Sequence, residues 1–215
     1  MKLANDYGIK TAPTSMIPLK NGQLALLSER LDRGKGKEKY HMEDFCQILG
    51  QPTFKKYVSS IQKVAKSLKK YTQQNAPQEQ LLRLFELTLF SYIVGNSDLH
   101  LKNISVIHDP LPRLSPAYDL LSFEIFQNDF KEKDNEEMAL STNGKKNKLQ
   151  RYDFGQLAEA LMIKEKVRNY IYKKFIAQEK SWNIWISKSF LTPQKKVLLA
   201  ELIGTRLELI NRTPL

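Results

Sequence analysis

The stretch from Leu81 to Val94 constrains the fold more than any other part of the chain. Its apolar run is interrupted by Arg83, Glu86 and Thr88, and Leu81, Leu82, Phe85, Leu89, Tyr92 and Ile93 recur at helical spacing. A helix apolar over so much of its circumference must be covered on most sides, so it belongs at the centre of a helical core. It falls short of the roughly 20 apolar residues that a bilayer span needs. Its end delivers the chain into Gly95-Asn96-Ser97-Asp98.

Local signals on either side predict the surrounding elements. Residues 1 to 12 read as the end of a helix, with Gly8 at the position of a left-handed C-cap and Pro13 preventing continuation, so the chain starts in mid-element. Two apolar stretches between Thr14 and Arg30 flank Lys20-Asn21-Gly22, a strong hairpin signal. Arg33 to Lys39 is rich in glycine and charge and reads as a flexible loop. Phe54, Tyr57, Val58, Ile61, Val64, Ala65 and Leu68 then predict one helix face, and Tyr71 to Gln80 a polar connection containing Pro77.

Beyond the central helix, Ser105 to His108 and Arg113 to Pro116 predict a small hairpin turning at Asp109-Pro110. Asn128 to Glu137 is an acidic loop. Met138 to Thr142, Asn143-Gly144 and Lys148 to Arg151 predict a further hairpin before the pattern becomes helical. Thr192-Pro193 caps a last helix with Val197, Leu198, Leu202, Leu209 and Ile210 on one side. There is no internal repeat and no low-complexity linker. The fold class expected is α+β and mainly helical, one lobe carrying short β-hairpins.

With 41% hydrophobic and 27% charged residues, the 215-residue chain has the composition of a soluble globular protein. Its first residues lack the apolar region of a secretory signal. The single cysteine, Cys46, allows no internal disulfide and fits a buried small residue better than a nucleophile. A cytoplasmic location is the expectation. The net charge of +11 is spread over several regions without an aromatic-basic RNA-binding signature, so a solvated basic surface is preferred to a nucleic-acid footprint.

Asp98 and Asn103 stand in the spacing Asp-x-x-x-x-Asn, and Asp119 follows 21 residues after Asp98. In phosphoryl transfer an aspartate accepts the proton of the acceptor hydroxyl, while nearby side-chain oxygens hold Mg²⁺ on the phosphates. A short hairpin between Asn103 and Asp119 is long enough to return the second aspartate beside the first loop. Each residue alone reads more readily as a turn former or helix cap. The ordered set leaves both the capping and the phosphotransfer readings open. His100, with His41 and His108 in no tight sequence pair, makes a poor zinc site.

Gly95-Asn-Ser-Asp-Leu-His-Leu-Lys-Asn-Ile-Ser105 resembles the catalytic loop of HipA-type toxin kinases, and Leu114-Ser-Pro-Ala-Tyr-Asp-Leu-Leu-Ser122 resembles their Asp-Phe-Gly-equivalent segment. Ser28-Glu-Arg-Leu-Asp-Arg33 is similar to the family's hinge, Glu43-Asp44-x-x-Gln47 to the segment after it, and Met138 to Lys146 to a strand and turn beyond the metal site. The resemblance implies a protein-kinase-like large lobe over residues 1–215, with the hinge and preceding elements in 1–33 and the helical catalytic lobe in 40–215. Asp98 is then the catalytic base and Asn103 and Asp119 the Mg²⁺ ligands. His100, Lys102 and Tyr118 stand near the nucleotide, and backbone from Glu29 to Leu31 contacts adenine.

That resemblance further implies an ATP- and Mg²⁺-dependent protein serine/threonine kinase of the HipA/HipT type acting on an aminoacyl-tRNA synthetase or a similar translation protein. The alternative is a non-catalytic kinase lobe that docks a DNA-binding antitoxin, meeting nucleic acid only through it; a metal-dependent nuclease using Asp98 and Asp119 is a third. The small-lobe lysine and phosphate-covering loop are not found before residue 14. The expectation is a small lobe largely absent from this chain and supplied by a missing segment or a separate partner protein, as in the HipT variant.

Overall fold

The computed structural model describes residues 1–36, 38–129 and 136–212. At its centre lies α4 (Pro77–Ile93), in which Leu84, Phe85, Leu89, Tyr92 and Ile93 are fully buried. Four helices meet it or its neighbours: α3 (Ile61–Tyr71), α5 (Arg151–Ala160), α6 (Glu165–Ala177) and α8 (Pro193–Asn211). Aromatic contacts join the layers. Phe90 meets the Trp182 ring edge-on at 5.8 Å from α7 (Glu179–Ser187), and Tyr92 lies 4.9 Å from Phe154. Burying each such side chain contributes roughly 1.5–3 kcal/mol.

The amino-terminal helix α1 (Lys2–Tyr7) ends at Gly8 with φ 106°, the C-cap expected from the sequence. Tyr7 stacks on Phe175 at 3.8 Å and donates to Glu86 of α4, while Asp6 accepts from Ser181 and Trp185. Next comes the anticipated hairpin, β1 (Thr14–Pro18) with β2 (Leu24–Ser28), paired from Thr14↔Ser28 to Pro18↔Leu24. A second sheet has the order β3–β4–β5, formed by His41–Asp44, Ser105–His108 and Pro112–Leu114, all antiparallel. The β4–β5 hairpin was legible in the sequence; β3 was not. Asp44 caps the short α2 (Phe45–Ile48) directly after β3.

The structure differs from the sequence reading in four places. The helix expected over Phe54–Leu68 begins only at Ile61, because Ser60 accepts from the Lys63 N–H and caps it, so Phe54, Tyr57 and Val58 lie on the preceding turn. Pro77 starts α4 instead of lying in a linker, since its missing N–H is no loss at the first helical position. Met138–Arg151 forms no hairpin. Ser141 bridges Ser60, and a tight turn at Asn143-Gly144 pairs Thr142 with Lys145.

The fourth difference is the buried face of α8, which consists of Leu199, Ile203, Arg206, Leu207 and Ile210, whereas Val197 is 56% exposed. A buried arginine interrupts the apolar pattern that helical periodicity relies on. Arg206 donates to the Tyr92 carbonyl at the end of α4 and to Glu124 at 2.6 Å, so it satisfies a helix C-terminus and carries its own counter-charge. Arg33 and Lys39 pair across an isolated antiparallel bridge. Of the acidic stretch 128–137, residues 130–135 lie outside the described residues.

Candidate active site

The candidate loop is built from the end of α4 outward. Gly95 turns the chain at φ 71°, where an added Cβ would stand 2.6 Å from Leu202 and 3.1 Å from Glu124. Asn96 is buried; its side chain accepts the Asp98 N–H at 3.3 Å and faces Ser91, which fixes the approach to Asp98. The His100 N–H and the Asn103 side-chain amide both donate to the Asp98 carbonyl, at 2.8 and 2.9 Å. A 3₁₀ turn, Leu101–Asn103, leads into β4, and the Lys56 carbonyl accepts from the Leu101 N–H at 3.1 Å.

Two aromatic neighbours surround the Asp98 carboxylate. Tyr57 donates to Oδ1 at 2.8 Å, and His100 Nε2 lies 3.8 Å from the same oxygen. The Tyr57 and His100 rings meet edge-on at 5.1 Å. Burial lowers the His100 pKa, with the Asp98 charge working against it, so the ring is neutral at pH 7 and contributes packing and a dipole in place of a cation.

Lys102 binds Asp44 at 3.0 Å, and this hydrogen bond raises its pKa. The ammonium thus ties the loop to the end of β3. Asn103, 8% exposed, uses its NH₂ group on the Asp98 carbonyl. A carbonyl can only accept, so the amide orientation is determined and the Asn103 oxygen remains the end that a cation can use.

Asp119 reaches the same area on a neighbouring strand-like segment. The Ser115 N–H donates to the Ser105 carbonyl, and Ala117 exchanges backbone hydrogen bonds with Lys10 and Ala12, each at 2.8–2.9 Å. Tyr118 then donates to the Lys102 carbonyl at 2.8 Å and contacts Ser105 Oγ at 2.5 Å, so its hydroxyl straps this segment to the Asp98–Asn103 loop. Burial pushes the Tyr118 phenol up to about 12, which keeps it neutral. Asp119 follows at φ 53°, exposed, and close enough for its charge to bear on both His100 and Tyr118. It forms no ion pair among the described residues.

The hinge-like segment hangs from the same strand crossing, because the Glu29 N–H donates to the Pro13 carbonyl at 3.0 Å, one residue after Ala12 meets Ala117. Glu29 is exposed and Leu31 half-buried, with Arg30 forking onto Asp32 between them. Asn103 and Asp119 offer hard oxygen donors of the kind Mg²⁺ selects, so the residues present fit that ion. An apolar cavity of about 490 Å³, lined by Leu3, Phe90, Trp185 and Phe190, reaches Leu120 but includes none of Asp98, Asn103 and Asp119.

Sequence reasoning missed Tyr57, which it assigned to a helix face, and Asp44 as the partner of Lys102. Neither carries a local signal, since their partners lie 41 and 58 residues away.

A helical lobe with a small sheet and an Asp–Asn loop is the large-lobe fold of the kinase-like class. It superposes on HipA of Shewanella oneidensis, solved with HipB and operator DNA, with a TM-score of 0.77 at 20% identity, covering 100% of this chain and 57% of that one. The proinflammatory kinase CtkA of Helicobacter pylori matches with a TM-score of 0.58 at 14% identity, over 97% of this chain and 77% of that one.

The chain belongs to the HipA-like C-terminal domain family, which it matches over residues 1–182. Among curated relatives, the "Putative kinase Y4mE" of Sinorhizobium fredii is 36% identical over 129 residues, 57% of this chain and 30% of that protein. A "Putative kinase" of Haemophilus influenzae is 26% identical over 139 residues, 57% of this chain and 39% of its own length. The matches thus span well under half of these relatives. Among the described residues, no helix is long and apolar enough to cross a membrane.

Proposed function

We propose that this domain carries the catalytic lobe of an ATP- and Mg²⁺-dependent protein serine/threonine kinase of the HipA/HipT type. The observation that carries the reading is the 2.9 Å bond from Asn103 to the Asp98 carbonyl, which fixes the two residues to each other and leaves the Asn103 side-chain oxygen and the Asp98 carboxylate for chemistry. Asp98 orients the acceptor serine or threonine hydroxyl and takes its proton as the oxygen bonds to the γ-phosphorus, the bond from that phosphorus to the β,γ-bridging oxygen breaks and ADP leaves. Asn103 and Asp119 hold the metal, which when bound neutralises charge on the phosphate oxygens. Tyr118 keeps Asp119 in register with the loop. Lys102 and His100 line the nucleotide side of it, and backbone from Glu29 to Leu31 receives the adenine.

The substrate is a translation protein of the aminoacyl-tRNA synthetase kind, and an antitoxin of the HipB kind is the partner through which the assembly meets DNA. The clamp on the α- and β-phosphates comes from small-lobe elements of the complete assembly. To test this, the chain is incubated with γ-labelled ATP, Mg²⁺ and a bacterial lysate, with and without a family small lobe added in trans. Label appearing on protein serine or threonine and lost in Asp98→Asn supports the reading. Label unaffected by Asp98→Asn, or nucleic-acid cleavage without ATP, contradicts it. Antitoxin binding with no transfer in either format would make the domain a docking module instead.

A further inference from the structure

The proposed phosphotransfer centre leaves two of the three histidines unused, and the fold brings them together. His41 on β3 and His108 on β4 are direct partners in the antiparallel register, with ring centroids 5.1 Å apart. Glu43, two residues along β3, shares their face of the sheet by strand alternation, and its Oε2 lies 3.0 Å from His41 Nε2. One potential ligand atom from each of the three residues lies within 4.8 Å of the others. His108 Nε2 is buried and engages no hydrogen-bond partner among the described residues, so that nitrogen is committed to nothing else.

We propose that His41, Glu43 and His108 form a binding site for a divalent transition-metal ion of the Zn²⁺ type, separate from the site of Asn103 and Asp119. Two imidazoles and one carboxylate are the donor set that zinc accepts with three protein ligands and a water in the fourth position. Mg²⁺, which prefers an octahedral oxygen shell, discriminates against such a set. Zinc bonds of about 2.0–2.2 Å place ligand atoms a little over 3 Å apart. The His41–Glu43 pair already has that spacing, and His41, whose side chain is 64% exposed, is free to turn towards His108.

The position gives the ion a mechanical role. β3 runs directly into Asp44, which holds Lys102, and β4 leaves directly from Asn103 and Ile104. A metal bridging the far ends of these strands clamps together the two segments that frame the loop.

The test is calorimetric titration of the chelator-treated chain with Zn²⁺ in the absence of nucleotide. The parent and Asp119→Asn should each bind one equivalent with similar affinity, while His41→Ala and Glu43→Gln should bind at least about tenfold more weakly. Co²⁺ in place of Zn²⁺ should give the visible absorption of a low-coordinate site, lost in His41→Ala. His41 is exposed enough for its substitution to leave the fold intact, which circular dichroism checks; His108→Ala is a second variant. No zinc binding, binding unchanged by His41→Ala, or binding abolished by Asp119→Asn would each overturn the proposal.

Discussion

Tyr57 donates its hydroxyl proton to Asp98 Oδ1 at 2.8 Å, so a phenol occupies one of the two carboxylate oxygens of Asp98. The contact spans 41 residues of sequence, and Tyr57 itself is 39% exposed on the turn before α3. In the proposed site, a tyrosine so placed would compete with an incoming serine or threonine for the carboxylate. Tyr57→Phe keeps the ring against His100 and removes only the competing donor. A hydrogen bond of about 1 kcal/mol corresponds to roughly a fivefold gain in kcat/KM for a protein acceptor. Steady-state phosphorylation of a fixed substrate checks this, and a loss of activity would instead make Tyr57 a group that orients the base.

The proposed site gives Asn103 two separable tasks, holding the Asp98 carbonyl and a cation, and two substitutions distinguish them. Asn103→Asp keeps an oxygen for the cation but turns a second acceptor towards the Asp98 carbonyl, which should cost about 1–2 kcal/mol of stability. Added Mg²⁺ should restore part of that loss. Asn103→Ala loses both tasks, and Mg²⁺ should restore nothing. Urea unfolding with and without Mg²⁺ reads the difference; equal recovery of both variants would remove Asn103 from the metal site.

Gly95 sets the exit from α4 into the loop. Gly95→Ala meets both a left-handed φ of 71° and a Cβ contact of 2.6 Å with Leu202, so it should destabilise by about 2–4 kcal/mol. Gly50→Ala, at φ 60° with no atom within 4 Å, should cost only the backbone strain of about 1–2 kcal/mol. Denaturant midpoints at unchanged slope give both values. Equal costs at the two positions would show that packing against α8 does not hold the loop exit.

Asp153 is buried in the first turn of α5. Burial alone would raise its pKa, but hydrogen bonds from Asn143 and Lys145 and the Gln150 N–H outweigh that effect and hold it below the usual carboxylate range. A depressed folded-state value contributes stability at neutral pH that disappears as the carboxyl protonates, below about pH 4. Asp153→Asn should lower stability at pH 7 by about 2–3 kcal/mol and flatten the acid limb of the stability curve. An acid limb identical to that of the parent would assign acid sensitivity to other groups.

The parts of the fold that sequence made legible rest on neighbouring residues. The Gly8 cap, the Asn21-Gly22 hairpin, the Thr192-Pro193 helix start and the Asp98-to-Asn103 spacing are all written within a few positions. What stayed hidden rests on distant pairing. β3 is four residues long with a single apolar side chain, Met42, and it becomes a strand because β4 offers it a ladder. The pairing of His41 with His108 and the reach of Tyr57 to Asp98 follow from that tertiary arrangement. Arg206 defeated the periodicity of α8 because a cation is buried only where a helix end and a carboxylate already wait for it.

If Asp98, Asn103 and Asp119 frame one metal-nucleotide site, as proposed, paramagnetic relaxation reads it without any turnover. Mn²⁺ replaces Mg²⁺ with a non-hydrolysable ATP analogue, and the His41→Ala variant is used to silence the β3–β4 cluster. Amide resonances of residues 98–104 and 118–120 should broaden first, and Asp119→Asn should remove the effect. Broadening centred elsewhere in the lobe, or unchanged in Asp119→Asn, would contradict the proposal.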